Sequence, residues 1–186
     1  EMATVNPAAM LVLTGGEPLL RKDITDIAQY ATQKGMMVVV GTNGTLLSDE
    51  KIRQLQKSGV MGVSISVDSL DPQKHDNFRC LPGALEGALK GIAACSRNGL
   101  PFQVHTTASR MNYEEIPALL EFAYKQRARV FNLFFLVCTG RGEAMSDISP
   151  EQYEQVLGYL LDVQGKYPGM FVRSRCAPHF KRIAYE

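Results

Sequence analysis

The chain has 186 residues, 45% of them hydrophobic and 21% charged, which suits one globular domain with a sizeable core. A formal net charge of +1 excludes a global field that would draw nucleic acid or an anionic membrane. No apolar stretch approaches the roughly 20 residues of a membrane span and nothing resembles a signal peptide; four scattered cysteines, with neither metal-site spacing nor disulfide-scaffold density, fit a cytoplasmic, reducing compartment.

In chain order, an apolar run Met10–Leu13 leads into Thr14, Gly15, Gly16, Glu17 and Pro18. Asp23–Lys34 follows, with Ile24, Ile27, Ala28 and Ala31 on one helical face and Gly35 where a C-terminal cap belongs. A second β-rich run, Met36–Val40, ends at Gly41, Thr42, Asn43 and Gly44. Ser48–Ser58 reads as a helix capped by Ser48 and stopped at Gly59. The third run, Val60–Val67, passes through Ser64 and Ser66 to Asp68 and Ser69. Gly83–Asn98 lines up Leu85, Ala88, Leu89 and Ile92 before Gly99. The fourth run, Phe102–Thr107, ends in His105, Thr106 and Thr107; Asn112–Gln126 follows with Asn112 and Glu115 at capping-box spacing. The fifth run, Val130–Val137, opens onto Thr139, Gly140, Arg141 and Gly142. Ser149–Gly165 closes the series, with Ser149 to cap, Pro150 at the first helical position, and Tyr153, Val156, Leu157, Leu160 and Leu161 as one stripe.

This alternation predicts a parallel sheet with helices outside, and runs that are apolar throughout suggest strands buried on both faces. The period leaves an open doubly wound sheet and a barrel both admissible. In either, function belongs at the carboxyl ends of the strands. There the glycines allow close backbone approach, while hydroxyls and one carboxylate supply directional hydrogen bonds, as a small-molecule pocket requires. Glycines and polar residues also make ordinary turns, the plainer reading for Gly41–Gly44 and Thr106–Thr107. Gly15 and Gly16 do not open a P-loop, since no Lys-Ser or Lys-Thr follows, and no G-x-G-x-x-G is present. A carboxylate straight after the glycines suits a cation such as an amine.

"LTGGEPLLR", "TNGTLL", "VSISVDSLDPQKHDNFR" and "LFFLVCTGRG", in this order, resemble the radical S-adenosylmethionine (SAM) superfamily over nearly the whole chain. Within it they are similar to the cofactor- and peptide-maturation branch, which includes the pyrroloquinoline-quinone peptide maturase and enzymes that modify tetrapyrrole side chains in haem pathways. The resemblance implies an α/β fold, a partial (β/α)6 TIM-like barrel, with strands 2–6 present here and the first strand and cluster loop missing. It places the barrel core at residues 1–168 and the start of a C-terminal extension at 169–186. It assigns Glu17, with the backbone of Gly15 and Gly16 and the adjoining Pro18, to the amino group of SAM. Ser66 would meet the ribose with Asp68 beside it, and the backbone near Leu136 would border the adenine. Thr42 and Asn43, and less directly Gln103 and Thr106, would face SAM or substrate. His75 and Arg79 belong to a helix-entry segment with a structural role.

In the family a [4Fe–4S] cluster passes one electron to SAM, and the resulting 5′-deoxyadenosyl radical takes a hydrogen from the substrate. The cluster rests on three cysteines spaced C-x3-C-x2-C upstream of G-G-E-P. No such triplet occurs in residues 1–186, and the scattered Cys80, Cys95, Cys138 and Cys176 cannot replace it. The chain is therefore expected to be a trimmed core fragment, inactive by itself. Its parent would act on a small-molecule or peptide substrate with an electron donor such as a flavodoxin or ferredoxin, without nucleic acid or membrane. An exposed barrel edge would let the fragment pair as a dimer. The alternative is a cluster-free module that binds SAM or a nucleoside without catalysis. A hydrolase would need a nucleophile elbow or a metal constellation, and His75, His105 and His179 have no ligand spacing.

Overall fold

The computed structural model describes residues 6, 9–136, 148–178 and 180–185. Among these, one sheet holds six parallel strands in sequential order: β1 (Met10–Leu13), β2 (Met37–Thr42), β3 (Val60–Ser66), β4 (Phe102–Ala108), β5 (Val130–Phe135) and β6 (Phe171–Arg175). The crossovers carry α1 (Ile24–Gln33), α2 (Asp49–Lys57), the pair α3 (Pro72–Arg79) and α4 (Ala84–Asn98), α5 (Ile116–Lys125) and α6 (Pro150–Asp162); α7 (Phe180–Tyr185) follows β6. A strand order that never reverses keeps right-handed crossovers on one face, whereas a doubly wound sheet reverses and covers both. The barrel reading is the one realised. The sheet curls so far that Met10 and Val12 of β1 border the same cavity of about 570 Å³ as Arg173 and Arg175 of β6.

The convex face is the core. Val38, Val40, Ile65, Val67, Val104, Phe131 and Leu133 are fully buried there beneath the helices, together with Ile52, Leu55, Leu119, Leu120, Leu157 and Leu160. The concave face is only partly covered, contrary to the expectation of strands buried on both sides. In β4 the alternation is complete: Phe102, Val104, Thr106 and Ala108 are buried, while Gln103, His105 and Thr107 are half-buried.

Local signals explain most element boundaries. Ser48 accepts from the Lys51 N–H, and Ser149 with Gln152 forms a full capping box ahead of α6, where Pro150 occupies the first turn. The capping box expected at Asn112 does not form. A short 3-10 turn, Tyr113–Glu115, precedes α5, and the Asn112 side chain bonds the backbone of Asp68, Thr107 and Ser109 instead. Three elements went unread, the last being the short α7, which buries no side chain. Helix α3 has Asp71 as N-cap and Pro72 in its first turn but buries only His75, so it shows no apolar stripe. Strand β6 lies in the stretch assigned to an extension; only Val172 is buried, and its other residues, Phe171, Arg173, Ser174 and Arg175, carry no strand-like apolar run. It pairs with β5 from Val130↔Phe171 to Phe134↔Arg175.

Candidate functional site

The corner after β1 is built around Glu17. Gly15 has φ +147°, a region L side chains rarely adopt, and a Cβ added at Gly15 or Gly16 would meet no atom within 4 Å. The two glycines therefore present open backbone. Pro18 is buried at the start of a 3-10 turn, Pro18–Leu20, and Glu17 is its N-cap. Glu17 Oε1 accepts from the Leu19 N–H at 3.1 Å and from the Thr42 hydroxyl at 2.7 Å, while Oε2 accepts from the Asn43 N–H at 2.8 Å. Two ionised carboxylate oxygens offer about four acceptor positions. Three are used, and the one left is on Oε2.

Thr42 and Asn43 hold this carboxylate in place. Thr42 is 5% exposed; its hydroxyl donates to Glu17 and accepts from the Gly44 N–H. Asn43 Oδ1 accepts from the Thr45 N–H and hydroxyl, which fixes the turn. Gly44 has φ +84°, and a Cβ there would lie 2.8 Å from Ile65 Cγ2 and 3.1 Å from the Ala88 backbone, so the turn packs tightly against the core. Beside it, a Cβ on Gly41 would lie 3.3 Å from both the Thr14 and Ser64 hydroxyl oxygens, so its absence leaves a slot between them.

The end of β3 is a closed polar network. Asp68 is fully buried; Oδ1 accepts from the Thr107 N–H at 2.9 Å and Oδ2 from Arg79 Nε at 2.6 Å. The Asp68 N–H donates to His75 Nδ1 at 3.1 Å, so that nitrogen carries no proton, and burial holds the His75 pKa below its usual value. The 3.7 Å approach of His75 Nδ1 to the Asp68 carboxylate is therefore contact with a neutral ring. Ser66, two residues earlier, lies on the concave face level with His105. Thr106 turns the other way. It is buried, and its hydroxyl donates to the Val67 carbonyl at 2.6 Å, because alternate residues of β4 face the helices.

Along the concave face, Ser66, His105, Asn132 and Arg173 share one register level across four adjacent strands. Asn132 Nδ2 lies 2.8 Å from Gln103 Oε1 and 3.0 Å from His105 Nε2; Arg175 Nε donates to Asn132 Oδ1 at 3.4 Å. Burial, then the positive charge of Arg175 and Arg79, pushes His105 down to about 4, so its Nε2 accepts the Asn132 donor. This knot carried no motif and was missed as a unit; the sequence offered Gln103 as facing SAM or substrate and His105 as a polar strand end, and its only further trace is that β4 and β5 place polar side chains on the same face. Leu136 stands at the end of β5, its N–H bonded to the Ala108 carbonyl, four strands from β1. Gly15, Gly16, Glu17, Pro18, Thr42 and Asn43 are thus brought into one corner, with Ser66 two strands along and Asp68 turned into the network behind it. Val137 to Gly142, including Cys138, and His179 lie outside the described residues.

A family model of the radical SAM superfamily matches residues 2–123. The chain belongs to that superfamily. Over 174 residues it is 43% identical to an AdoMet-dependent heme synthase of Methanosarcina barkeri, covering 94% of this chain and 50% of that protein. Over 155 residues it is 33% identical to an Fe-coproporphyrin III synthase of the same organism, covering 82% of this chain and 39% of the other. Its fold matches that of Streptococcus suis SuiB bound to S-adenosylmethionine with a TM-score of 0.75 at 17% identity, over 89% of this chain and 39% of SuiB. The chain thus spans half or less of the length of these relatives. Family membership and such relatives make it part of an enzyme, from a superfamily whose members here serve haem and cofactor biosynthesis.

The described cysteines of this radical SAM chain, Cys80, Cys95 and Cys176, do not suit an iron–sulfur cluster. Cys80 and Cys176 are exposed, and burial pushes the Cys95 thiol up to about 12. Cys80 caps α3 with φ +52°, the left-handed position that glycine favours, which gives it a backbone role. Among the described residues no three His, Cys, Asp or Glu side chains come together to hold a metal.

Proposed function

We propose that this chain is the SAM-holding half-barrel of a radical SAM enzyme that modifies a carboxylated tetrapyrrole on the way to haem. The observation that carries it is the Glu17 carboxylate, fixed by three donors from two strand ends and left with one acceptor position on Oε2 beside two bare glycines. An ammonium group completes that position, and the Gly15–Gly16 backbone gives it room. Ser66 would take a ribose hydroxyl and the Leu136 backbone would border the base; Asp68, whose oxygens are engaged within the protein, would support Ser66 from behind. SAM, when bound beside a reduced cluster, supplies one-electron chemistry that ends in hydrogen abstraction. The residues of this chain bind and orient it. The donors among the described residues do not fit the cluster, so its ligands would come from other residues of the whole protein, with a flavodoxin or ferredoxin as electron donor. The tetrapyrrole assignment rests on the heme synthase and Fe-coproporphyrin III synthase relatives. No helix among the described residues is long and apolar enough to cross a membrane, in keeping with a cytoplasmic enzyme.

Calorimetric titration of SAM tests the reading. Wild-type chain is expected to bind, and Glu17→Gln, which keeps the shape but loses the charge, should bind at least tenfold more weakly, about 1.4 kcal/mol. Equal affinity in the two proteins would sink the assignment of Glu17. Iron analysis of the whole protein separates enzyme from cluster-free module. About four irons per chain are expected for a single cluster, and none would favour the module.

A further inference from the structure

The concave face carries a concentration of positive charge that the Glu17 corner does not use. Arg129, Arg173 and Arg175 all border the cavity of about 570 Å³, and no acidic side chain lies among its described lining residues. Four arginines outside the cavity have carboxylate partners, Arg21 with Asp23, Arg79 with Asp68, Arg97 with Asp49 and Arg182 with Glu154, while Arg53, Arg110 and Arg127 have none among the described residues. The three in the cavity have none among the described residues. Three guanidinium-bearing side chains on one cavity without an acidic neighbour make its potential positive, which favours an anion from outside.

The arrangement suits an anion such as a carboxylate. Asn132 gives its amide hydrogens to Gln103 and His105 and its oxygen to Arg175, so the acceptors of the knot are consumed inward. The other donors of Arg175, the last residue of β6, have no partner among the described residues, and Arg175 borders the cavity. Planar guanidinium forks match carboxylate geometry two bonds at a time. The opposite wall is apolar. Met10, Val12 and Met61 are 60%, 50% and 57% exposed, a costly display unless something apolar covers them. One wall of methionine and valine facing one wall of arginine fits a ligand with an apolar body and carboxylates on its edge.

We propose that Arg173 and Arg175, the latter set by Asn132, clamp a carboxylate of the substrate while Met10, Val12 and Met61 cover its apolar body. The inference rests on the tetrapyrrole reading above and assigns the residues that select for it. Ser66 and Arg173 share one register level three strands apart, about 14 Å along the sheet at the usual strand spacing. A macrocycle anchored at the arginines reaches across that distance to Ser66, the proposed ribose contact.

The test compares coproporphyrin, which bears four propionates, with its tetramethyl ester, by absorbance titration of the chain, and measures SAM binding in parallel. The free acid is expected to bind at least tenfold more tightly than the ester. Arg173→Gln and Arg175→Gln should each remove most of that preference while leaving SAM affinity and the circular dichroism spectrum unchanged. Arg175→Lys should restore only part of it, since a lysine keeps the charge without the fork. Acid and ester bound alike, or variants that keep the preference, would overturn the clamp and leave the tetrapyrrole reading standing. Loss of SAM binding in the arginine variants would overturn it too, by giving the arginines to the SAM carboxylate. If wild type binds neither porphyrin, the tetrapyrrole reading fails separately, and an oligoglutamate peptide against its oligoglutamine counterpart decides the clamp. Equal binding of those two peptides ends it.

Discussion

Asp68 shows how a residue can stand beside a ligand site and still belong to the fold. Its carboxylate joins Arg79 of α3 to the Thr107 backbone of β4, and its N–H and carbonyl engage His75 and Asn112. Arg79 is 28% exposed and Asp68 fully buried, so removing the charge strands a partly buried cation. Asp68→Asn should therefore cost about 2–4 kcal/mol in urea unfolding, with SAM affinity of the folded protein little changed. A variant of normal stability with weakened SAM binding would instead make Asp68 a cofactor contact. Glu17 is expected to show the reverse pattern, a modest stability cost with a large loss of binding. The two acidic residues look alike in the sequence, each placed after an apolar run. They differ in what surrounds the carboxylate, which only the folded chain reveals.

At the scale of elements, α4 is matched to the Thr42–Thr45 turn through its small residues. A Cβ on Gly91 would lie 2.5 Å from the Gly44 carbonyl oxygen and 3.2 Å from Leu47 Cβ, and one on Gly87 would lie 2.8 Å from Thr45 Cγ2. Backbone cannot yield as a flexible side chain does. Gly91→Ala should therefore destabilise by about 1–2 kcal/mol, the overpacking strain less the helix propensity gained. Because Thr42 and Asn43 lead directly into Gly44, it should also weaken SAM binding from a distance. Gly158 in α6 is the control: no atom lies within 4 Å of its added Cβ, so Gly158→Ala should stabilise by about 1 kcal/mol. Thermal melts of the two variants should shift in opposite directions. The strands β1 to β5 and the helices with apolar stripes were legible because burial under the convex face imposes a period on their residues. Helix α3 and strand β6 were not, since each buries a single side chain and period cannot form from one residue. The Glu17 corner was legible as a motif. The Asn132 knot was not, because it joins side chains from three strands far apart in sequence that meet only when the sheet curls.

For the whole molecule, the open concave face makes stability depend on mild acid. His105 sits in that face with its pKa pushed down to about 4 from 6.5, and burial lowers His75 behind the sheet as well. Groups facing His105 reinforce the neutral form, since Arg175 and Arg79 are cationic and Asn132 offers its ring a donor. Between pH 6.5 and the folded values, the unfolded chain binds protons that the folded chain refuses, so stability must fall as pH drops through this window. The carboxylates whose pKa values the fold lowers, such as Asp49, Asp76 and Glu115, have unfolded values of 3.8 to 4.5 and withdraw their stabilisation only below that range. The interval from about pH 6.5 to 5 therefore belongs to the histidines. His105 alone contributes at most roughly 2 kcal/mol across it, less whatever solvent screens. Urea midpoints measured at pH 7 and pH 5 should show the drop, and His105→Gln should shrink it. An unchanged drop in that variant would assign the effect to His75. Protonating His105 also sets a cation beside Arg175 and removes the acceptor that orders Asn132, so porphyrin affinity should follow the same pH profile as the folded ring, whereas SAM binding at Glu17 should not.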